Sequence, residues 1–397
     1  MLTLFVAGLA ATGVHAQTRL LAPTENAAEL AYAVALDGQR IAAGAPGADS
    51  RRGQVYTYDC IGLGCSTAAA LVPGDLVTGD RFGEAVSMSA ATLAIGAPGQ
   101  GAVYLYVHDG SGWLQQQKLI ATPALPDERF GAAVAVSGNR LAVGAPGANG
   151  AAGAIYVFER SGGVWNQSSR LQAGDADAGD ALGSSVALDS DTILAGAPYW
   201  TSIQVGSFSQ GAAYVFVVAS SIWNQQARLL PSTALNGQLF GQAVSLSGNR
   251  ALVGAPAANL GTGSAFVFER NASTWTQQQQ LAPVGGLPGD RFSWSVAIDA
   301  DQLLVGAPFS MAGCGGNTRY ALTGGTWNPA ALPTLARPAP GGLVGWSVAI
   351  QGQRWLTGTP GYSGAPSHVG AAYWQDASDA IFSDSFDDAG AAVCAVD

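Results

Sequence analysis

Phe130-Gly131-Ala132-Ala133-Val134-Ala135-Val136-Ser137-Gly138-Asn139-Arg140-Leu141-Ala142-Val143-Gly144-Ala145-Pro146 is the stretch that decides the fold. Two short apolar runs flank Ser137-Gly138-Asn139-Arg140, and runs of that kind joined by about two turn residues predict a β-hairpin. Ala154-Ile155-Tyr156-Val157-Phe158 and the stretch from Trp165 to Leu171 follow, each bounded by turn residues, and add a third and a fourth strand. The frame recurs. Gly-Ala-Pro places its alanine at Ala45, Ala97, Ala145, Ala197, Ala255 and Ala307, and a decayed seventh copy is Gly358-Thr359-Pro360. Equivalent hairpin turns fall at Asp37-Gly38, Asp189-Ser190, Ser247-Gly248 and Gln351-Gly352. A self-similar period near about 50 residues marks a solenoid, a propeller or an array.

Four antiparallel strands repeated seven times predict an all-β chain, a seven-bladed β-propeller. Radial blades protect sheet edges that one long sheet would leave open. Phe-Gly and Gly-Ala-Pro are expected where strands enter and leave each blade. Gly there permits close backbone approach, and Pro falls where no ladder donor is needed. Motifs present in every blade are read as packing devices rather than as a site.

The pairing of Phe-Gly with Gly-Ala-Pro resembles the FG-GAP repeat of bacterial proteins and is similar to the seven-bladed head of integrin alpha subunits. Phe-Gly is intact at Phe82-Gly83, Phe130-Gly131 and Phe240-Gly241. It drifts at Leu30-Ala31, Leu182-Gly183, Phe292-Ser293 and Val344-Gly345. A Trp-x-Gln outer strand is seen at Trp165, Trp223 and Trp275, with weaker copies at Trp113 and Trp327. The resemblance implies the propeller fold and, by analogy, ligand binding on one face. It also implies calcium loops of the form Asp-x-Asp-x-Asp-Gly between the first two strands. Here those connections are tight turns such as Asp299-Ala300-Asp301-Gln302. Calcium takes about six to eight oxygen ligands, so the family's metal sites are expected to be lost, and no cofactor is expected.

Hydrophobic residues make up 48% of the 397 and charged residues only 11%. That composition belongs to a packed chain, not a disordered one. The net charge is −10, with Lys118 the sole lysine. An acidic, lysine-poor surface disfavours nucleic acid and anionic membranes. After the first 16 residues no apolar run approaches the ~20 needed to span a bilayer. Residues 1–16 read as the apolar core of a signal peptide, with Val14-His15-Ala16 suiting cleavage before Gln17. The positive segment that usually precedes such a core is missing, so the true start can lie further upstream. A secreted or cell-surface location follows, and a monomer is expected.

Four cysteines follow that leader. Cys60 and Cys65 lie close together in one loop and are expected to pair, and Cys314 can reach Cys394 in the tail. A metal clip at Cys60 and Cys65 is disfavoured, because no His lies near them in sequence.

The chain carries no Gly-x-Ser-x-Gly elbow, no His-Glu-x-x-His and no phosphate-binding loop opening a helix. His108 and His368 fall on opposite faces of the disc. Acid pairs such as Asp175/Asp177 and Asp384/Asp387 show no convergence of the kind a glycosidase needs. The inner strands are small and apolar. A non-catalytic binding or adhesion protein for a protein or glycan ligand is therefore favoured. The alternatives are a lyase- or glycosidase-type enzyme with its site in the central channel, and a purely structural surface protein.

The loops after Gly-Ala-Pro and before Phe-Gly share one face and vary in length, which marks where specificity is built in a repeat array. Tyr199, Trp200 and Phe208 in blade 4, with Phe309 and Tyr362 in blades 6 and 7, are the candidate ligand-binding residues. Blade 7 has three strands and no Trp-x-Gln strand. Residues 18–22 resemble the fourth strand of blade 4 and are expected to complete blade 7. The propeller then spans 17–374 and leaves a tail at 375–397.

Overall fold

The third repeat folds as its hairpin pattern requires. Its first strand, Ala133–Ser137, pairs antiparallel with the second, Arg140–Ala145, across a two-residue turn. The third strand, Ala154–Ser161, lies against the second, with Ala154 opposite Ala145. The fourth, Val164–Leu171, pairs with the third through a bulge at Val157/Phe158. The computed structural model describes residues 17–22, 28–61, 64–66, 68–123, 127–201, 209–233, 237–330, 341–361 and 370–376. The leader at 1–16 and the tail from 377 onward lie outside these. Within them, seven antiparallel sheets of this design form a ring, with first strands at Ala33–Asp37, Ala85–Ser89, Ala133–Ser137, Ser185–Asp189, Ala243–Ser247, Ser295–Asp299 and Ser347–Gln351. Each first strand packs on the next, and that of blade 7 packs on that of blade 1. No helix among the described residues is long and apolar enough to cross a membrane.

The ring closes by strand exchange. Gln17–Leu20 pairs antiparallel with Ala371–Asp376, with Leu20 opposite Ala372. Leu20 is buried in the core between blades 7 and 1. The third strand of blade 7 runs on to Asp376, two residues past the expected end of the propeller.

Blade 1 departs from four plain strands. Its outer strand, Ala69–Leu71, covers only Val55 to Thr57 of the third strand, Gln54–Ile61. The far end of that third strand pairs instead with Gly64–Cys65. Cys60 and Cys65 therefore face each other across a small hairpin rather than sharing a loop, and they are disulfide-bonded.

The two repeat motifs meet in space. A Cβ built on Gly144, of Gly-Ala-Pro in blade 3, would lie 2.0 Å from the carbonyl oxygen of Gly183, the Phe-Gly glycine of blade 4. The same contact joins Gly44 to Gly83, Gly96 to Gly131 and Gly306 to Gly345. Gly83, Gly131, Gly183 and Gly241 also donate their N–H to the Gly-Ala-Pro glycine of their own blade, as from Gly131 to Gly144 at 3.1 Å. The motif phenylalanine sits edge-on to third-strand aromatic rings, as Phe130 does against Tyr156 at 5.4 Å, a favoured ring geometry. Ser293 replaces the glycine in blade 6. It keeps the left-handed backbone, with φ 70°. Its hydroxyl donates to the Ser264 carbonyl and accepts the Ala255 N–H.

Candidate functional site: the loop face

The strands meet each face of the ring end-on. One face carries the two-residue turns between first and second strands, and it is occupied by its own fastenings. The last residue of each first strand is Asp, Ser or Gln. In blades 2 to 7 its side chain accepts the N–H of the next blade's turn: Ser89 from Gly138, Ser137 from Ser190, Asp189 from Gly248, Ser247 from Ala300, Asp299 from Gly352 and Gln351 from Gly38. Arg140 and Arg250 reach the following blade's turn and pair with Asp191 and Asp301. These polar groups are consumed in holding blades together.

The opposite face receives the loops after Gly-Ala-Pro and before Phe-Gly. The residue immediately after Phe-Gly opens each inner strand on this face. Around the ring it is Tyr32, Glu84, Ala132, Ser184, Gln242, Trp294 and Trp346. Blades 3 to 5 are small or neutral there, whereas blades 6, 7 and 1 are aromatic. These rings touch: Trp294 to Trp346 at 5.0 Å and Trp346 to Tyr32 at 5.4 Å between centroids. Phe309 closes on both tryptophans, 5.7 Å from Trp294 and 6.3 Å from Trp346. The three are half-buried, and Phe309 is 38% exposed.

The arc continues into a charged depression. The Arg81 guanidinium lies 5.7 Å over the Tyr32 ring and is paired with Glu84. Arg129 from blade 3 pairs with the other oxygen of Glu84 at 2.8 Å. A cavity of about 660 Å³ is lined here by Tyr32, Arg51, Arg81, Glu84, Arg129 and Glu128, among others. Burial alone would lower the Arg81 pKa, but its hydrogen bond to Glu84 and the charges of Glu84 and Glu29 outweigh this and raise it. Burial, reinforced by Glu84, holds the Tyr32 phenol above its usual range. Both groups keep one charge state across the physiological range. Glu128 is buried, accepts the Tyr156 hydroxyl at 2.9 Å, and leaves Oε1 without a hydrogen bond.

The residues expected from the sequence fare unequally. Phe309 joins the arc. Tyr199 is exposed on the same face but in blade 4, away from it. Trp200 is a packing residue: it is 7% exposed, belongs to the core of blade 4 and lies under the Arg228 guanidinium at 4.6 Å. Phe208 and Tyr362 lie outside the described residues. Sequence reading missed Tyr32, Trp294 and Trp346, although each directly follows a copy of Phe-Gly. Asp175, one of the acid pair, takes the Tyr214 hydroxyl and pairs with Arg228, so it is structural. His108 stacks edge-on against Trp113 on the hairpin side of blade 2, and His368 lies outside the described residues. Cys314 is disulfide-bonded, and Cys394 lies outside the described residues. Among the described residues no three His, Cys, Asp or Glu side chains gather as a metal site would require.

No curated protein matches the chain. The sequence profile of the FG-GAP repeat matches at residues 66–109, 113–158, 165–216, 223–268 and 275–319, together more than half of the chain. Each matched segment runs from the outer strand of one blade to the third strand of the next, and so holds the Phe-Gly and Gly-Ala-Pro positions of a single blade. With these repeats closed into a seven-bladed ring like the head of integrin alpha subunits, the chain belongs to the FG-GAP repeat family.

Proposed function

We propose that this protein is a non-catalytic binding protein, secreted or held at the cell surface, that takes a protein or glycan ligand on its loop face. One observation carries the reading. At a single register position in a repeating frame, three consecutive blades present touching aromatic rings, and the fourth presents a carboxylate bound by two arginines. Packing alone asks for the same solution in every blade, and blades 3 to 5 do without rings. Half-buried rings beside fixed polar groups are the usual makings of a binding surface. The inner strands support a non-catalytic role, because the hydroxyls of Ser87 and Ser245 are used to accept N–H groups of the neighbouring blade.

The test is capture on immobilised full-length protein, with a glycan array run in parallel. Trp346→Ala together with Arg129→Ala should abolish whatever capture is found, with the melting temperature of the double variant checked first. Trp113→Ala, on the hairpin side, should leave it intact. Capture that survives the double variant and is lost with Trp113→Ala would place the binding face on the wrong side.

A further inference from the structure

We infer that the ligand of the loop face is a neutral oligosaccharide, lying along Phe309, Trp294, Trp346 and Tyr32 with one end in the cavity beside Arg129. This rests on the loop face being the binding face. The arc offers half-buried apolar rings in succession, tilted or edge-on to one another, with neighbouring centroids 5.0–5.7 Å apart. A pyranose presents a patch of C–H groups on its face and hydroxyls around its rim. It therefore needs a ring to lie on, together with donors and acceptors at its edge.

The cavity supplies both kinds of edge group. Arg81 and Glu84 are spent on each other, since the Glu84 side chain is 8% exposed and bound by two guanidiniums. What remains for a ligand is mixed in sign. Arg129, with a side chain 57% exposed, and the exposed Arg51 are donors. The exposed Asp127 is an acceptor at the rim. Glu128 lines the wall as a buried carboxylate whose Oε1 receives no hydrogen bond but lies 3.9 Å from the Arg170 guanidinium, so it adds negative charge to the wall. Hydroxyls both donate and accept, so a neutral sugar suits all four groups. A uronate or a phosphate suits only the arginines and meets repulsion from Asp127 and Glu128. An extended peptide would look for an exposed strand edge to extend, and on this face the strands end rather than run.

The experiment is titration of the intact protein with cellohexaose and mannohexaose, followed by tryptophan fluorescence and calorimetry. Hexagalacturonate and an aspartate-rich hexapeptide serve as comparison ligands. At least one neutral hexasaccharide should bind saturably, perturb tryptophan emission and lose affinity only slightly in high salt. Trp346→Ala and Asp127→Asn should each weaken it about tenfold or more, while Trp113→Ala changes nothing. Asp127 is exposed, so its variant remains informative if the tryptophan variant misfolds. Tighter binding of hexagalacturonate than of either neutral sugar would overturn the assignment, as would binding of the peptide alone. Protein capture on the loop face with no sugar bound would sink the oligosaccharide while leaving the binding face standing. Failure of every ligand and of capture would remove both.

Discussion

At the scale of single residues, the repeat is a set of fastenings between neighbouring blades. Gly144→Ala puts a Cβ against the backbone oxygen of Gly183, which cannot swing aside. Overpacking of this kind costs about 1–3 kcal/mol, and a fall in the urea midpoint with an unchanged slope should report it. The glutamines of the outer strands are fastenings too. The Gln117 amide exchanges two hydrogen bonds with the backbone of Trp165 in the next blade, at 2.8 and 2.9 Å. Gln279 does the same with Trp327. Gln117→Ala should cost about 1–3 kcal/mol by the same measurement, from two partly buried groups left unpaired. Asp180 gives a pH-dependent case. Burial raises its pKa, the Asp177 N–H lowers it in part, and the charges of Asp177 and Asp175 raise it further. A carboxyl with a raised folded-state pKa stabilises the fold at pH values below its unfolded pKa, and that stability is lost as pH rises through the folded pKa. Asp180→Asn should therefore be more stable than the parent near neutrality. Thermal melts should show the gap closing as pH falls through the raised folded-state pKa, and closed by about pH 4, the ordinary Asp range. A gap that widens in acid would mean that the Asp177 N–H outweighs burial.

At the scale of the element, strand identity and order were legible in the sequence, because Gly-Ala-Pro, or Gly-Thr-Pro in blade 7, closes the second strand and the turn that opens that strand is always two residues long. Blade 1 was less legible. Nothing in Asp59-Cys60-Ile61 shows that the third strand runs straight into a second hairpin, since Gly64–Cys65 is only two residues long and is held by the disulfide. Reduction, or Cys60→Ser with Cys65→Ser, should cost about 2 kcal/mol for so short a loop on the chain-entropy account. Hydrogen exchange should locate the loss at the outer end of blade 1. The candidate site was half legible. Loop length variation singled out the face on which Phe309 joins the aromatic arc, but aromaticity in a loop says nothing about burial, and Trp200 was absorbed into its own blade under Arg228. Tyr32, Trp294 and Trp346 were hidden by their neighbours. They adjoin a motif whose own residues are packing, and their significance appears only when one register position is followed around the closed ring.

At the scale of the whole molecule, the closure decides how the ring unfolds. Repeat arrays with free ends can lose terminal units one at a time, because each contacts only its neighbours. Here blade 7 takes its outer strand from the opposite end of the chain, so blade 7 is incomplete without the segment that leads into blade 1. The same junction is fastened at its inner edge. Gln351 accepts the Gly38 N–H and donates to Asp37, and Ser347 donates to the Ala31 carbonyl. The contacts that close the ring are also the longest in sequence, and pairings of that kind form late and slowly. Leu20→Ala removes a buried side chain at this junction and should cost about 2–4 kcal/mol. A chain begun at residue 23 loses the whole strand. The intact protein should melt in one transition, with tryptophan emission and far-UV circular dichroism coincident. The shortened chain should melt earlier, and the two signals should separate as blades 7 and 1 open before the rest. Coincident transitions at an unchanged midpoint would show that the pairing of Gln17–Leu20 contributes nothing to closure, and that the inner-edge contacts hold the ring alone.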